Sequence, residues 1–175
     1  MFDKLERAIL SGRPELAKSL QPGLSHERVR EILNRARVEG NVYAVVALYS
    51  WRNGSHTATP WETFFPKAIY HFLPLEDAVQ HWASVQKAIG TLVELGTPVA
   101  MPKEEGRYLP TFFDGASGSL AIDLKPGMNN RVMAVEFESE EPFREVCSSF
   151  DEFIIEATRA IEKDELPIFL DLQAY

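Results

Sequence analysis

Two apolar periods alternate along this chain, and the switches between them mark its elements. "SLAIDL" (119–124) and "RVMAVEFE" (131–138) run apolar or alternate over strand length. The "KPGMNN" between them supplies the proline, glycine and asparagine that favour turn dihedrals. This pattern predicts a β-hairpin. From "SFDEFIIEATRAIEK" (149–163) the period lengthens, so that Phe150, Phe153, Ile154, Ala157 and Ile161 share one helical face, with Ser148 or Ser149 placed as the cap.

The N-terminal half is mostly helical in pattern. Residues 2–10 and 14–20 are short amphipathic stretches split by "SGRP", which reads as a helix stop and a restart at Pro14, and residues 1–22 are expected to be accessory helices. Ser25 is placed to cap a helix through "HERVREILNRARV", with Val29, Ile32, Leu33 and Ala36 inward and Gly40 and Asn41 as its end. The run "VYAVVALYSW" is apolar enough for either a buried helix or a strand, and periodicity does not choose between them. "RNG" (52–54) reads as a turn. "TATPWETFF" (57–65) reads as a loop with an edge strand near Phe64 and Phe65. "AIYHFLPLEDAVQHWASVQ" begins as a strand, breaks at Pro74 and continues as a helix with Ala78, Val79, Trp82 and Val85 inward and Glu76 and Asp77 at its start, where the helix dipole favours acids. "GTPVAMPKEEGRY" (96–108) is a linker into the hairpin region. No internal repeat or low-complexity tract occurs.

At 175 residues and 45% hydrophobic, the chain suffices for one well-buried core. Its formal charge of -8 disfavours sequence-independent binding to nucleic acid, which needs clustered Lys and Arg, and suits a basic protein partner better. The single cysteine, Cys147, has no internal disulfide partner. The opening "MFDKLERAIL" interrupts any signal-peptide-like apolar run, and no window reaches the roughly 20 apolar residues of a membrane span. A cytoplasmic protein without membrane contact is expected.

Candidate chemistry is sparse. His71 and His81 stand ten residues apart without the i, i+4 spacing of a helical zinc pair. Asp114 and Asp123 flank "GASGSLAI"; if that segment turned back, they would form a two-carboxylate hydrolase site, whereas separately each serves a turn. "DGASGS" lacks the lysine of a phosphate loop. Cys147 precedes a helix, where the helix terminus would activate a thiolate, but a small buried hydrophobe is the commoner role. No catalytic residue, cofactor or metal is expected. Recognition leaves other traces. Glu136, Glu138, Glu140 and Glu141 crowd one strand end, with Glu136 and Glu138 on one strand face, and Asp114 extends the acidic patch. Trp61, Phe64 and Phe65 are either interface anchors or a loop folded back over the sheet.

In order, these landmarks resemble the SMI1/KNR4 family, the SUKH superfamily. The likeness rests on "GLS…VREIL", on "LYSWRNG" with Trp51, Asn53 and Gly54, and on "YHFLPLEDAVQHW" with Phe72, Leu73, Leu75 and Trp82. It is completed by "YLPTFFDGASGSLAIDLKP…NRVMAVEFE" with Asp123, followed by "SFDEFI". It spans about Gly23 to Ile155, and a single domain over 23–175 is expected. The resemblance implies an α+β fold, a mostly antiparallel twisted sheet with helices packed against it. It also implies a non-catalytic protein-binding role, foremost that of a bacterial immunity protein neutralising a toxin domain. A regulatory scaffold for cell-wall or envelope synthesis is the alternative the family allows, and a small hydrolase using Asp114 and Asp123 is the enzymatic one.

Overall fold

The computed structural model describes residues 1–56, 62–94, 108–127, 129–136 and 143–170, with residues 85–86 and 88–94 described by their backbone alone. It is an α+β fold. The main sheet is a five-stranded antiparallel meander of β3 (His71–Phe72), β4 (Tyr108–Phe113), β5 (Gly118–Asp123), β6 (Val132–Glu136) and β7 (Phe143–Cys147) in chain order. A second, two-stranded sheet pairs β1 (Leu20–Pro22) with β2 (Arg52–Ser55). The helices are α1 (Phe2–Gly12), α2 (Pro14–Ser19), α3 (His26–Arg35), α4 (Tyr43–Trp51), α5 (Leu75–Glu94) and α6 (Phe150–Lys163), and a 3-10 turn follows at Ile168–Leu170.

The expected hairpin is β5–β6, in register from Gly118 opposite Glu136 to Ile122 opposite Val132. All six residues of β5 are buried, which explains why its sequence lacks a polar face: it is the middle strand of the meander and is covered on both sides. Leu120 and Ile122 join Leu109, Phe112, Val132 and Ala134 in the main core. Ala121, Met133 and Val135 form a smaller cluster with Tyr108 and Phe143, whose rings lie 5.5 Å apart.

A train of aromatic rings fills the main core, and it corrects the reading of Phe64 and Phe65. Neither lies in a strand. Both sit in a bend whose Phe64 amide donates to the Tyr70 carbonyl at 2.7 Å, and both are fully buried. Phe64 packs 4.9 Å from Phe112, which lies 5.0 Å from Phe72, while Phe65 meets both Phe153 and Phe169. Each buried ring contributes about 2–3 kcal/mol by area, which decides the alternative left open for Phe64 and Phe65: both fold back into the core.

The N-terminal helices lie inside the same core. Leu5, Ala8 and Ile9 of α1 and Leu16 of α2 are buried in it, and α1 packs along α6. "RNG" is strand rather than turn, because β1 pairs with it, Leu20 opposite Ser55 and Pro22 opposite Arg52. The ambiguous "VYAVVALYSW" is α4, buried on most sides, and its first turn is capped from outside: Asn41 Oδ1 accepts the Tyr43 amide, and Asn130 Oδ1, 86 residues on, accepts that of Ala44. α3 starts at Ser25 as expected, with its hydroxyl accepting the Arg28 amide, but stops before Gly40. Arg37 takes a left-handed φ of 57° while the Val38 amide bonds the Leu33 carbonyl, a Schellman ending. α6 is capped by Ser149, which accepts the Glu152 amide.

Candidate functional site

At one end of the main sheet, the β4–β5 turn gathers part of the expected acidic patch. Asp114 accepts the Ala116 amide at 2.7 Å and the Gly118 amide at 3.0 Å, fixing the turn in the way aspartates commonly do. Gly118 is the register partner of Glu136, so both carboxylates flank the same glycine. The Tyr70 hydroxyl belongs to this rim too: a methyl group on Gly118 would meet Asp114 Oδ2 at 2.5 Å and the Tyr70 oxygen at 3.5 Å. Burial pushes the Tyr70 hydroxyl up to about 12, the charges of Glu136 and Asp114 add to the shift, and Arg144 opposes it. Tyr70 is therefore a neutral donor beside two carboxylates. The structure thus brings together Asp114 and Glu136 from the sequence-predicted set and adds Tyr70 and Arg144, which no linear motif announced. Glu138, Glu140, Glu141 and Trp61 lie outside the described residues. Phe64 and Phe65 are core residues and present no surface for a partner.

Across the sheet, His81 Nε2 lies 3.3 Å from Ser119 Oγ, and its ring packs 4.6 Å from Phe113. Desolvation lowers the His81 pKa, partly offset by the charge of Asp114. Ser119 is only 4% exposed, on the middle strand of the sheet, and both oxygens of Asp114 are committed to turn amides. The trio therefore lacks the accessible nucleophile and the base-to-carboxylate bond of a hydrolytic triad. His71, the register partner of Phe113, places Nδ1 3.2 Å from the Glu62 carbonyl. Among the described residues, no three His, Cys, Asp or Glu side chains converge as a metal site would require.

The proposed carboxylate pair does not form. Asp114 bonds Gly118 at the start of β5, and Asp123 is its last residue; at about 3.3 Å per residue the strand separates them by roughly 17 Å. Retaining and inverting glycosidases need about 5–9.5 Å. Asp123 is fully buried and holds the turn instead, accepting Arg131 Nη2 at 2.7 Å and the Lys125 amide at 2.9 Å, with Arg131 also bridging to Glu145 at 2.8 Å. Cys147 is a core residue whose thiol is pushed up to about 12, by burial first and then by Glu152, Glu156 and Glu145, the opposite of activation.

The remaining motif residues are joints. Asn53 Oδ1 accepts the Leu75 amide at 3.0 Å and so caps α5 from β2. Gly54 sits against the Leu73–Pro74 backbone. Trp51 Nε1 donates to Glu6 at 2.7 Å. Trp82 packs half-buried against the core.

One surface went unnoticed in the sequence. Between α3 and α4, His26, Arg30, Val42, Tyr43, Val46 and Ala47 border a groove of about 480 Å³. Its signal was present in "HERVREILNRARV", four arginines against two glutamates in a chain of net charge -8. No helix among the described residues is long and apolar enough to cross a membrane. No protein-family model matches the chain, and no curated protein matches it significantly.

Proposed function

We propose that this chain is a non-catalytic protein-binding module of the SMI1/KNR4 kind, an immunity protein of the bacterial type that occludes a basic toxin domain. The observation that carries this reading is the convergence of Asp114 and Glu136 on Gly118, beside the Tyr70 hydroxyl, at one end of a rigid antiparallel sheet. Asp114, its carboxylate held by two backbone amides, and Glu136, placed opposite Gly118 by strand register, present a negative potential at one place. Such a surface steers a cationic partner to encounter and selects its orientation. The α+β architecture is the one the family resemblance implies. The alternative hydrolase draws no support from Asp114 and Asp123, which stand at opposite ends of β5.

The test is co-expression of the tagged chain with the product of its neighbouring gene, read by growth rescue and by co-purification at low and moderate salt. The reading expects stoichiometric capture of a toxin domain, with Glu136→Lys lowering affinity at least tenfold and steepening toxicity. Capture of envelope-synthesis proteins alone, without any protection of growth, would replace it with the regulatory scaffold.

A further inference from the structure

We infer that the α3–α4 groove is a second interaction surface, one that takes an acidic peptide segment carrying an apolar side chain. None of the residues lining the groove is acidic. On α3, Glu31 engages both Arg28 at 2.9 Å and Arg35 at 2.7 Å, and Arg28 also lies 3.6 Å from Glu76 of α5, so both of those arginines are already engaged by carboxylates. Arg30 faces the groove instead and makes no ion pair or hydrogen bond among the described residues. A guanidinium left open in this way is suited to bidentate binding of a carboxylate, and His26 stands beside it on the same lining.

The other wall is apolar. Val42, Val46 and Ala47 form it, and Tyr43, 75% exposed, stands at its edge. A tyrosine and an arginine flanking an apolar slot are the residue types that dominate binding hot spots. The walls are also held in place. Asn41 and Asn130 cap the first turn of α4, and the backbone at Gly40 packs so closely on Leu124 that an added methyl would come within 2.2 Å of the Leu124 carbonyl oxygen. Little ordering of the wall is needed when a ligand docks, which favours affinity.

Charge fixes the class of occupant. The groove lining carries the Arg30 guanidinium and no carboxylate on a chain that is otherwise strongly acidic, so an acidic partner is favoured here over a basic one. This surface is separate from the acidic rim, and each can fail without the other.

The experiment titrates the isotopically labelled full chain with a short glutamate-rich peptide carrying one central leucine, and in parallel with the same peptide bearing lysine for glutamate. Amide chemical shifts are followed at low and moderate salt. Saturable shifts confined to residues 26–30 and 40–47, from the acidic peptide alone and weakened by salt, are expected. Arg30→Glu should weaken binding at least tenfold and Tyr43→Ala severalfold, with unchanged circular dichroism because both side chains are exposed. Equal shifts with the lysine peptide, shifts elsewhere, or full affinity in Arg30→Glu would overturn the assignment. So would concentration-dependent shifts of the same amides without peptide, which would make a second copy of this chain the occupant.

Discussion

The indole nitrogen of Trp51 donates to Glu6 Oε2 at 2.7 Å, tying the last turn of α4 to the middle of α1. Arg52 reaches the same carboxylate, and Phe2 stacks on the indole at 5.0 Å. Glu6→Ala strands an indole N–H and a guanidinium at a half-buried joint and is expected to cost about 1–3 kcal/mol. Glu6→Gln keeps an acceptor for the indole and should cost less. Urea unfolding of the two variants measures the difference; equal losses would mean that the charge on Glu6, rather than the indole bond, holds the joint.

Gly54 separates steric need from conformational preference. Its φ is +75°, and an added methyl would lie 2.3 Å from the Pro74 nitrogen and 2.5 Å from the Leu73 carbonyl carbon, both backbone atoms that cannot swing aside. Gly54→Ala should lose about 3 kcal/mol or more, through the φ penalty and the displacement of the β3–α5 junction. Gly127 has nearly the same φ, +76°, with open space around it, so Gly127→Ala carries the φ penalty alone, about 1 kcal/mol. Thermal unfolding of the pair checks the contrast.

Much of this fold was legible because its signals are local. Ser25 and Ser149 announced two helices, the turn residues 125–130 announced the β5–β6 hairpin, and Pro74 marked the step from strand to helix. What escaped depended on partners remote in sequence. α4 is helical where its sequence was ambiguous, and one of its caps comes from Asn130. "RNG" is a strand because β1 lies beside it, and Phe64 and Phe65 are core because Phe112 and Phe153 await them. The acidic rim was half legible. Asp114 and Glu136 could be named from the sequence, but the strand register that brings them to one glycine, and the presence of Tyr70 there, are tertiary facts.

Asn130 is the hub of the hairpin's attachment. Its side-chain amide donates to the Asn41 carbonyl at 2.6 Å and the Asp123 carbonyl at 3.0 Å, its oxygen caps α4, and its backbone φ is +50°. Asn130→Ala removes all three bonds in a buried place and is expected to cost about 2–4 kcal/mol. Asn130→Asp keeps the cap but sets a carboxylate oxygen against two carbonyls, so it should be no better at neutral pH and should recover in mild acid as the carboxyl protonates. Denaturation midpoints at two pH values distinguish the variants.

Cys147 tests whether its helix terminus matters. With Cys147 buried and its thiol pushed up to about 12, first by burial and then by three glutamates, almost no thiolate exists at pH 8. Alkylation by iodoacetamide at that pH should be far slower than for a free cysteine and should reach the free rate only in denaturant. Cys147→Ala should lose about 1 kcal/mol, the cost of a small cavity. Rapid alkylation of the folded chain would contradict the burial.

His81 should make stability fall in mild acid. Its ring lies against Phe113 and Ser119, where desolvation lowers its pKa below the ordinary 6.5 and Asp114 offsets part of the shift. Above pH 6.5 the ring is neutral in both the folded and unfolded chains and contributes no slope. Below it, the unfolded chain takes up a proton that the folded chain resists, so stability is lost as pH falls from 6.5 through the lowered folded value. His81→Gln keeps a partner for Ser119 but cannot take up that proton. The difference in unfolding free energy between the native chain and this variant should be flat above pH 7 and should shift in the variant's favour toward pH 5. Every other ionisable group is common to both proteins and drops out of that difference. Asp114→Asn removes the charge that favours protonated His81, and it should therefore steepen the acid loss. A flat difference from pH 5 to 8 would show that the ring titrates alike in both states and that the contact with Phe113 does not exclude water from it.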